Sequence, residues 1–442
     1  MREILFERIS TVSKKMKTKE LSPVELTKAS LDRIKKLDVH LRSFITVMEE
    51  EALEQAKERE MEIATGKYRG PLHGIPISVK DMIKTKGVRT TGGSKVFSEW
   101  IPDDDATVVK KLYEAGAVIV GKANLHEFAM GATTENPHYG STKNPWNDTL
   151  IPGGSSGGSA VNTAVGMVYG SIGTDTAGSV RLPAAMCGTV GIKPTYGLVS
   201  REGGIPFSWS LDHVGPMTRT VEDAAIILDV IKGYDPKDHT SVDRDISVMV
   251  DKQLDNLEGV VLGFHESYMF DGIDDEIKNL MIKAFKAFEQ LGAEIVEIDL
   301  PYIDEGLQAL RTIAQSEVYA FHKPMLEKYA DDYGDDLAYR FHYGQDVTTE
   351  QYIDAQRMRK LFVEKTIEQM KGIDALIGPT NVQPPFKRDT MVPEMAISNM
   401  FTLGKTPLAN VLGFPSLAFA CGYTKANLPV GMQLIGKPFA ER

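Results

Sequence analysis

The sequence predicts an α/β protein in which helices cover a mostly parallel or mixed β-sheet. An apolar helical pattern at 106–115 ends at Gly116 and leads directly into a short apolar strand at 117–120. The same order of helix, glycine and strand recurs between residues 277 and 296, although the two segments are not a sequence repeat. Helices that alternate with buried strands are typical of this fold class.

The other elements follow from local signals. Ser22-Pro23-Val24-Glu25 is a capping box with proline at the first helical position, so a helix is expected to begin there. No low-complexity linker interrupts the chain, which favours one domain over residues 1–442. The remaining predictions are an alanine-rich charged helix at 49–64, a strand at 75–79 that ends at Lys80, a mainly helical region at 306–370, a strand at 375–377, and two strands around a turn at Asn427 between 415 and 436.

Composition excludes several classes of protein. A net charge of −11 argues against a nucleic-acid surface, which is usually basic. Two cysteines, Cys187 and Cys421, are too few for a disulfide framework and fit a reducing compartment. The N-terminus has no apolar signal segment, and no run is long and apolar enough to span a membrane. The sequence therefore predicts a cytoplasmic protein.

Two loops rich in small residues are the first candidates for a site. Residues 149–174 form a stretch without charged side chains, and within it Gly153–Ser159 runs straight into a helix of small residues. A flexible linker would instead join solvated modules. The second loop, Gly173–Ala184, is a turn whose successive N–H groups can converge on an oxyanion.

Two other interpretations of the first loop are weaker. Both Ser155 and Ser156 fit the G-x-S-x-G pattern of a nucleophile elbow, but Pro152 argues against the strand that an elbow requires. A phosphate-binding loop would need a terminal Gly-Lys-Ser or Gly-Lys-Thr, which is missing. The histidines show no metal-ligand spacing, so His126, His213 and His322 are interpreted as structural.

These loops belong to a longer series of segments that resembles the amidase signature family. The matching segments, in the order in which that family has them, are 77–81, 121–124, 140–145, 153–159, 173–184, 187–188 and 191–195. The resemblance covers nearly the whole chain. It implies the amidase signature fold, a large mixed β-sheet with helices on both faces. It also implies a final helix beyond Arg442, which this sequence does not contain.

The resemblance also implies a Ser-Ser-Lys triad. By position, Ser179 is the nucleophile, Ser155 the bridging serine after a cis Gly154–Ser155 bond, and Lys80 the base. A serine hydroxyl needs a base to become a nucleophile, and lysine serves as one only if burial lowers its pKa. No cofactor and no metal are implied.

The same resemblance assigns supporting residues. The oxyanion donors are expected to be the N–H groups of Thr176, Ala177, Gly178 and Ser179, with alanine at 177 where the family often has glycine. Asp175 and Arg181 are expected to support that loop. The expected substrate-pocket residues are Phe128, Met130, Gly131, Thr133 and Arg359.

The main functional interpretation is a free-standing serine amidohydrolase that cleaves the C–N bond of linear, non-peptide amides through an acyl-enzyme. Its expected partners are a small-molecule amide and water. Neither a nucleic acid nor a membrane is expected, and the expected assembly is at most a homodimer. The alternative is the glutamine-hydrolysing amidase subunit of a tRNA-dependent amidotransferase. Arg359 matches that subunit's carboxylate-binding arginine, but near Leu403 no acidic residue is found to meet a glutamine amino group.

Overall fold

An eleven-stranded mixed sheet forms the frame of the protein. The computed structural model describes residues 3–244, 246–247, 254–390 and 400–442. The strands run in the spatial order β1-β3-β2-β4-β6-β5-β10-β11-β9-β7-β8. Their bounds are β1 Phe44–Val47, β2 Pro76–Lys80, β3 Val118–Ala123, β4 Gly170–Asp175, β5 Val190–Lys193, β6 His213–Thr218, β7 Val261–Phe264, β8 Glu294–Glu297, β9 Ala375–Pro379, β10 Ser416–Tyr423 and β11 Pro429–Gly436.

The sheet has parallel pairing in two places and antiparallel pairing between them. Strand β2 is parallel to β3 and β4, and β7 is parallel to β8 and β9. The pairs from β4 through β6, β5, β10 and β11 to β9 are antiparallel, as is the pair of β1 with β3. The predicted α/β class with a large mixed sheet is therefore confirmed.

Helices flank this sheet. They are α1 Ile9–Lys17, α2 Pro23–Leu41, α3 Glu49–Ala64, α4 Thr107–Glu114, α5 Gly157–Ala164, α6 Arg181–Cys187, α7 Val221–Ile231, α8 Glu266–Met269, α9 Asp275–Gln290, α10 Ile303–Tyr329, α11 Asp335–Gln345, α12 Thr349–Gln369 and α13 Pro407–Leu412. None of the helices in the described ranges combines the length and the apolar character needed to cross a bilayer.

The start of α2 shows how local sequence fixes an element. The Ser22 hydroxyl accepts hydrogen bonds from the N–H groups of Val24 at 3.0 Å and Glu25 at 3.3 Å, and the Glu25 carboxylate accepts one from the Ser22 N–H at 3.4 Å. Both halves of the predicted capping box are formed, so donors that would otherwise be unsatisfied have partners.

Strand β2 places a lysine in the interior. All five residues of β2 are buried, as expected for a strand between two parallel neighbours. Because Lys80 is the last of them, its side chain leaves the strand inside the protein rather than at the surface.

Candidate active site

Lys80 lies beside two hydroxyl groups in a fully buried position. Its Nζ is 2.7 Å from Ser155 Oγ and 2.8 Å from Thr174 Oγ1. Its exposed fraction is 0 %. Burial lowers the pKa of Lys80 to about 7, against the opposing charges of Asp175 and Asp212. A large share of this amine is therefore uncharged near neutral pH.

Ser155 sits at the entry to α5, after a cis peptide bond from Gly154. Its carbonyl oxygen accepts from the His126 N–H at 3.1 Å and from Thr134 Oγ1 at 3.3 Å. A side chain at Gly154 would come within 2.9 Å of main-chain atoms of 131–133, so only glycine fits there. The main chain at Gly154 and Ser155 is thus fixed by close contacts, and from it the Ser155 hydroxyl reaches Lys80.

Ser179 lies in the turn between β4 and α6 and is half-buried. Its carbonyl oxygen accepts from the Ser156 N–H at 3.1 Å, which ties this turn to the loop that carries Ser155. Among the described residues, no hydrogen bond is formed by the Ser179 hydroxyl. The three predicted residues therefore come from the ends of three adjacent segments: β2, the loop before α5, and the turn after β4.

The turn before Ser179 is shaped by the Asp175 carboxylate. It accepts from the N–H groups of Gly178 at 2.9 Å and Val180 at 3.1 Å. Gly178 has a φ of +129°, and a Cβ there would lie 2.0 Å from Thr406 Oγ1. Because the Gly178 N–H already has an acceptor, it is the least available of the four expected oxyanion donors. In the described part of the chain, the N–H groups of Thr176, Ala177 and Ser179 have no acceptor.

Asp175 and Arg181 form a buried, two-point ion pair. Arg181 Nη2 lies 3.0 Å from Asp175 Oδ1, and Arg181 Nε lies 3.1 Å from Asp175 Oδ2. Both side chains are fully buried. Arg181 also donates to Gln433 Oε1 at 2.9 Å and to Asn410 Oδ1 at 2.5 Å. Burial alone would raise the pKa of Asp175, but the charge and hydrogen bonds of Arg181, together with Lys193 and Asn410, outweigh it and hold that pKa far below its usual range.

A second carboxylate supports the turn from the other side. Thr176 Oγ1 donates to Asp212 Oδ1 at 2.5 Å, while Asp212 Oδ2 accepts from the N–H groups of Phe207 at 2.8 Å and Ser208 at 3.0 Å. Burial raises the pKa of Asp212, and these hydrogen bonds oppose the rise. The loop at 207–212 and the turn after β4 are therefore fixed to each other.

The predicted pocket residues fall into two groups. Gly131 and Thr133 lie against Gly154, next to the serine loop, and Met130, which directly precedes them, is buried. Phe128 is instead fully buried, with its ring centroid 4.5 Å from that of His322 in an edge-to-face contact. Phe128 therefore packs in the core, at a backbone φ of +46° that residues other than glycine rarely adopt, and its contact with substrate stays a prediction.

The side chain of Arg359, the arginine predicted to line the pocket, donates its hydrogen bonds to main-chain oxygens. Arg359 donates from Nε to the carbonyl of Val411 at 2.9 Å and from Nη1 to the carbonyl of Ser210 at 3.0 Å. These contacts join α12 to the end of α13 and to the loop near Asp212. Its structural contacts are therefore clear, whereas a contact with substrate stays a prediction.

Sequence reasoning missed several residues of this site. Thr174 lies within the matching segment 173–184, so the motif could have indicated it as the second partner of Lys80. Asp212, Thr406 and Asn410 are far along the chain, and no local pattern links them to the serine loops. Asn410 Nδ2 donates to Asp175 Oδ1 at 2.9 Å, and Thr406 Oγ1 donates to the carbonyl of Ala177 at 2.7 Å.

Comparison with known proteins assigns the class. A family model described as Amidase matches residues 25–442. The chain therefore belongs to the amidase signature family, as the resemblance of the motifs predicted, and it is an amidase-family enzyme.

Two curated relatives carry the same name, that of a glutamyl-tRNA(Gln) amidotransferase subunit. The relative from Carboxydothermus hydrogenoformans is 40 % identical over 466 residues, covering 99 % of this chain and 95 % of the relative. The relative from Persephonella marina is 38 % identical over 469 residues, covering 99 % of this chain and 95 % of the relative.

Solved structures show the same fold. A chain from the vestigial protein complex that revealed the evolutionary origins of an s-triazine catabolic enzyme has a TM-score of 0.90 at 29 % identity, covering 98 % of this chain and 96 % of that one. The glutamyl-tRNA(Gln) amidotransferase subunit from Thermotoga maritima has a TM-score of 0.82 at 34 % identity, covering 99 % of this chain and 92 % of that one. A bacterial aryl acylamidase has a TM-score of 0.90 at 26 % identity, covering 99 % of this chain and 94 % of that one.

The comparisons correct the prediction about partners. The sequence predicts an enzyme that meets only a small amide and water, with at most a second copy of itself. That prediction is wrong, because the curated relatives are named as subunits of an amidotransferase, and a structural relative at a TM-score of 0.90 comes from a protein complex. The residues within the fold did not reveal this, because the same motifs serve both kinds of amidase.

Proposed function

We propose that this chain hydrolyses the C–N bond of a carboxylic amide, with Ser179 as nucleophile, Ser155 as proton bridge and Lys80 as base. The observation that carries the proposal is the buried Lys80 Nζ at 2.7 Å from Ser155 Oγ. With Thr174 Oγ1 accepting one N–H, the lone pair of an uncharged amine can face Ser155. A serine beside a neutral lysine is a known variant of the catalytic triad.

The reaction then proceeds in two acyl transfers. Ser179 Oγ adds to the amide carbonyl while its proton passes to Ser155 Oγ and the Ser155 proton passes to Lys80 Nζ. The N–H groups of Thr176, Ala177 and Ser179 support the oxyanion. The relay returns a proton to nitrogen as the C–N bond breaks, and ammonia or an amine leaves. Water, deprotonated by the same relay, cleaves the acyl ester and restores Ser179.

The rate of this reaction is expected to rise with pH through about 7, because the relay requires Lys80 to be uncharged and its pKa is about 7. Measuring kcat/KM between about pH 5 and 9 checks this. The Thr174→Val variant removes the second hydroxyl beside Lys80. The inflection in its pH profile of kcat/KM should therefore lie at a different pH from that of the wild type. A rate that stays flat through the neutral range would contradict the role of Lys80.

We further propose that the chain is the amide-hydrolysing subunit of an amidotransferase, which releases ammonia for use by a partner chain. The relatives named as amidotransferase subunits support this, because they are 40 % and 38 % identical over 95 % of their own length. The second candidate function is hydrolysis of a small amide by the chain alone, without transfer of the ammonia to a partner chain. The TM-score of 0.90 with an aryl acylamidase favours it, compared with 0.82 for the Thermotoga maritima protein.

One assay separates the two. Ammonia release from L-glutamine, simple amides and anilides is measured for the chain alone and after addition of the other subunits of an amidotransferase of this type. Glutamine turnover that is accelerated by those subunits supports the amidotransferase role. Rapid turnover of simple amides or anilides, at a rate that the added subunits do not change, supports the second candidate. If no amide is cleaved in either condition, both proposals fail.

A further inference from the structure

A carboxylate on α10 contacts the loop that supports the nucleophile turn. Glu317 Oε2 accepts hydrogen bonds from Ser208 Oγ at 2.6 Å and from the Ser210 N–H at 2.9 Å. Both serines are buried. Because hydrogen bonds to a carboxylate are stronger than those between neutral groups, Glu317 fixes a side chain and the main chain of this loop at the same time.

The same carboxylate joins α10 to α12. Tyr352 Oη donates to Glu317 Oε1 at 2.8 Å, and Gln356 Nε2 donates to Tyr352 Oη at 3.0 Å. Burial and the neighbouring Glu317 carboxylate raise the pKa of Tyr352 to about 12, so this hydroxyl keeps its proton and remains a donor. Arg359, which is also on α12, donates to the carbonyl of Ser210 at 3.0 Å. The loop is therefore held by two helices.

From this loop the contacts continue to the nucleophile turn. The Asp212 N–H donates to the carbonyl of Ser208 at 2.9 Å, and Asp212 Oδ2 accepts from the Ser208 N–H at 3.0 Å. Asp212 Oδ1 accepts from Thr176 Oγ1 at 2.5 Å. A continuous path of hydrogen bonds therefore runs from α10 to the turn, through Glu317, Ser208, Asp212 and Thr176.

We infer that Glu317 is a positioning residue, which acts through Ser208 and Asp212 to hold the nucleophile turn in the geometry that receives the oxyanion. This inference rests on the proposed function, because it takes the N–H groups of that turn as the oxyanion donors. The Glu317 carboxylate already accepts from three donors, so it acts through the loop rather than on the substrate. Since oxyanion donors stabilise the transition state only when they are already in place, movement of the loop lowers the rate and not the affinity for substrate.

Replacing Glu317 with alanine should lower kcat for amide hydrolysis roughly tenfold to a hundredfold and change KM by less than about twofold. The loss should not exceed that for removal of an oxyanion donor, roughly 10²–10³-fold, because the Thr176 N–H is still present. Both constants are measured by ammonia release from L-glutamine or a simple amide, together with a melting curve. Glu327→Ala, which changes an exposed glutamate of the same helix, is the matched control and should keep the wild-type kcat.

Two milder variants test the same contacts. Glu317→Gln keeps the shape of the side chain and one acceptor oxygen, so its kcat should lie between those of Glu317→Ala and the wild type. Tyr352→Phe removes only the hydrogen bond to Oε1, so it should lower kcat less than Glu317→Ala does and also leave KM unchanged.

A double-mutant cycle separates positioning from a general loss of stability. Thr176→Val removes the hydrogen bond to Asp212 and keeps the Thr176 N–H. If Glu317 acts along the path, Glu317→Ala should lower kcat little further in the Thr176→Val background, because the path is already broken. If Glu317→Ala does not fold, Tyr352→Phe takes its place in the cycle. Losses in kcat that multiply in the double variant would overturn the inference, as would a wild-type kcat in Glu317→Ala with only a lower melting temperature.

A failure of the proposed function would be visible separately. Activity that survives in Ser179→Ala, or a wild-type chain that cleaves no amide, would overturn the triad and this inference with it. Amide hydrolysis that depends on Ser179 but keeps its kcat in Glu317→Ala would overturn this inference alone.

Discussion

Replacing Ser179 with alanine is expected to lower kcat for amide hydrolysis by a factor on the order of 10⁵–10⁶, the loss typical of removing a serine nucleophile. The carbonyl carbon would have no oxygen to attack it, while the turn itself should persist. The Ser179 hydroxyl makes no hydrogen bond among the described residues, and the Ser179 carbonyl keeps its bond from the Ser156 N–H. Ammonia release at saturating substrate, together with a melting curve, measures both parts of this prediction.

Two neighbouring serines provide the controls. Ser159 belongs to the same glycine-rich segment, and its buried Oγ has no hydrogen-bond partner among the described residues, so Ser159→Ala should retain the wild-type rate. Ser156 Oγ donates to the carbonyl of Thr174 at 3.2 Å, and Ser156→Ala should cause at most a modest loss. A variant series in which Ser156→Ala is inactive and Ser179→Ala is active would instead indicate the nucleophile elbow.

The sheet and its helices could be predicted well because their signals are local. The helix, glycine and strand units at 106–120 and 277–296 appear as α4 with β3 and as α9 with β8. The capping box at Ser22 marks the observed start of α2. The long helical region predicted after residue 306 is divided into α10, α11 and α12. Each of these depends on residues within one or two turns of each other, which periodicity can detect.

The surroundings of the site could not be predicted in the same way. Only the family resemblance links Lys80 with Ser155, since 75 residues separate them. Asp212 and Asn410 contact the nucleophile turn from loops and helices that no local pattern connects to it. The N–H group of Gly178 is the clearest example of a contact that the sequence does not predict. It is expected to point at an oxyanion, but Asp175 accepts it at 2.9 Å.

The buried ion pair of Asp175 and Arg181 is expected to stabilise the folded protein as well as the conformation of the nucleophile turn. Asp175→Asn leaves the Arg181 charge buried without its counter-ion, so the free energy of unfolding should fall by about 3–5 kcal/mol. The turn should loosen as well, because Gly178 and Val180 lose a charged acceptor for their N–H groups. Urea unfolding followed by tryptophan fluorescence measures the free energy of unfolding. The rate of ammonia release reports whether the nucleophile turn keeps its geometry.

An exposed pair of the same charges supplies the control for this prediction. Asp354 and Arg357 lie 3.2 Å apart on α12, with side chains 62 % and 77 % exposed. Water screens such a pair, so Asp354→Asn should leave the unfolding midpoint unchanged. The double variant Asp175→Asn with Arg181→Met should be more stable than Asp175→Asn alone, because it removes the unpaired charge. If Asp175→Asn unfolds at the same urea concentration as the wild type, the pair does not hold the nucleophile turn, and Asn410 and Thr406 must do so without it.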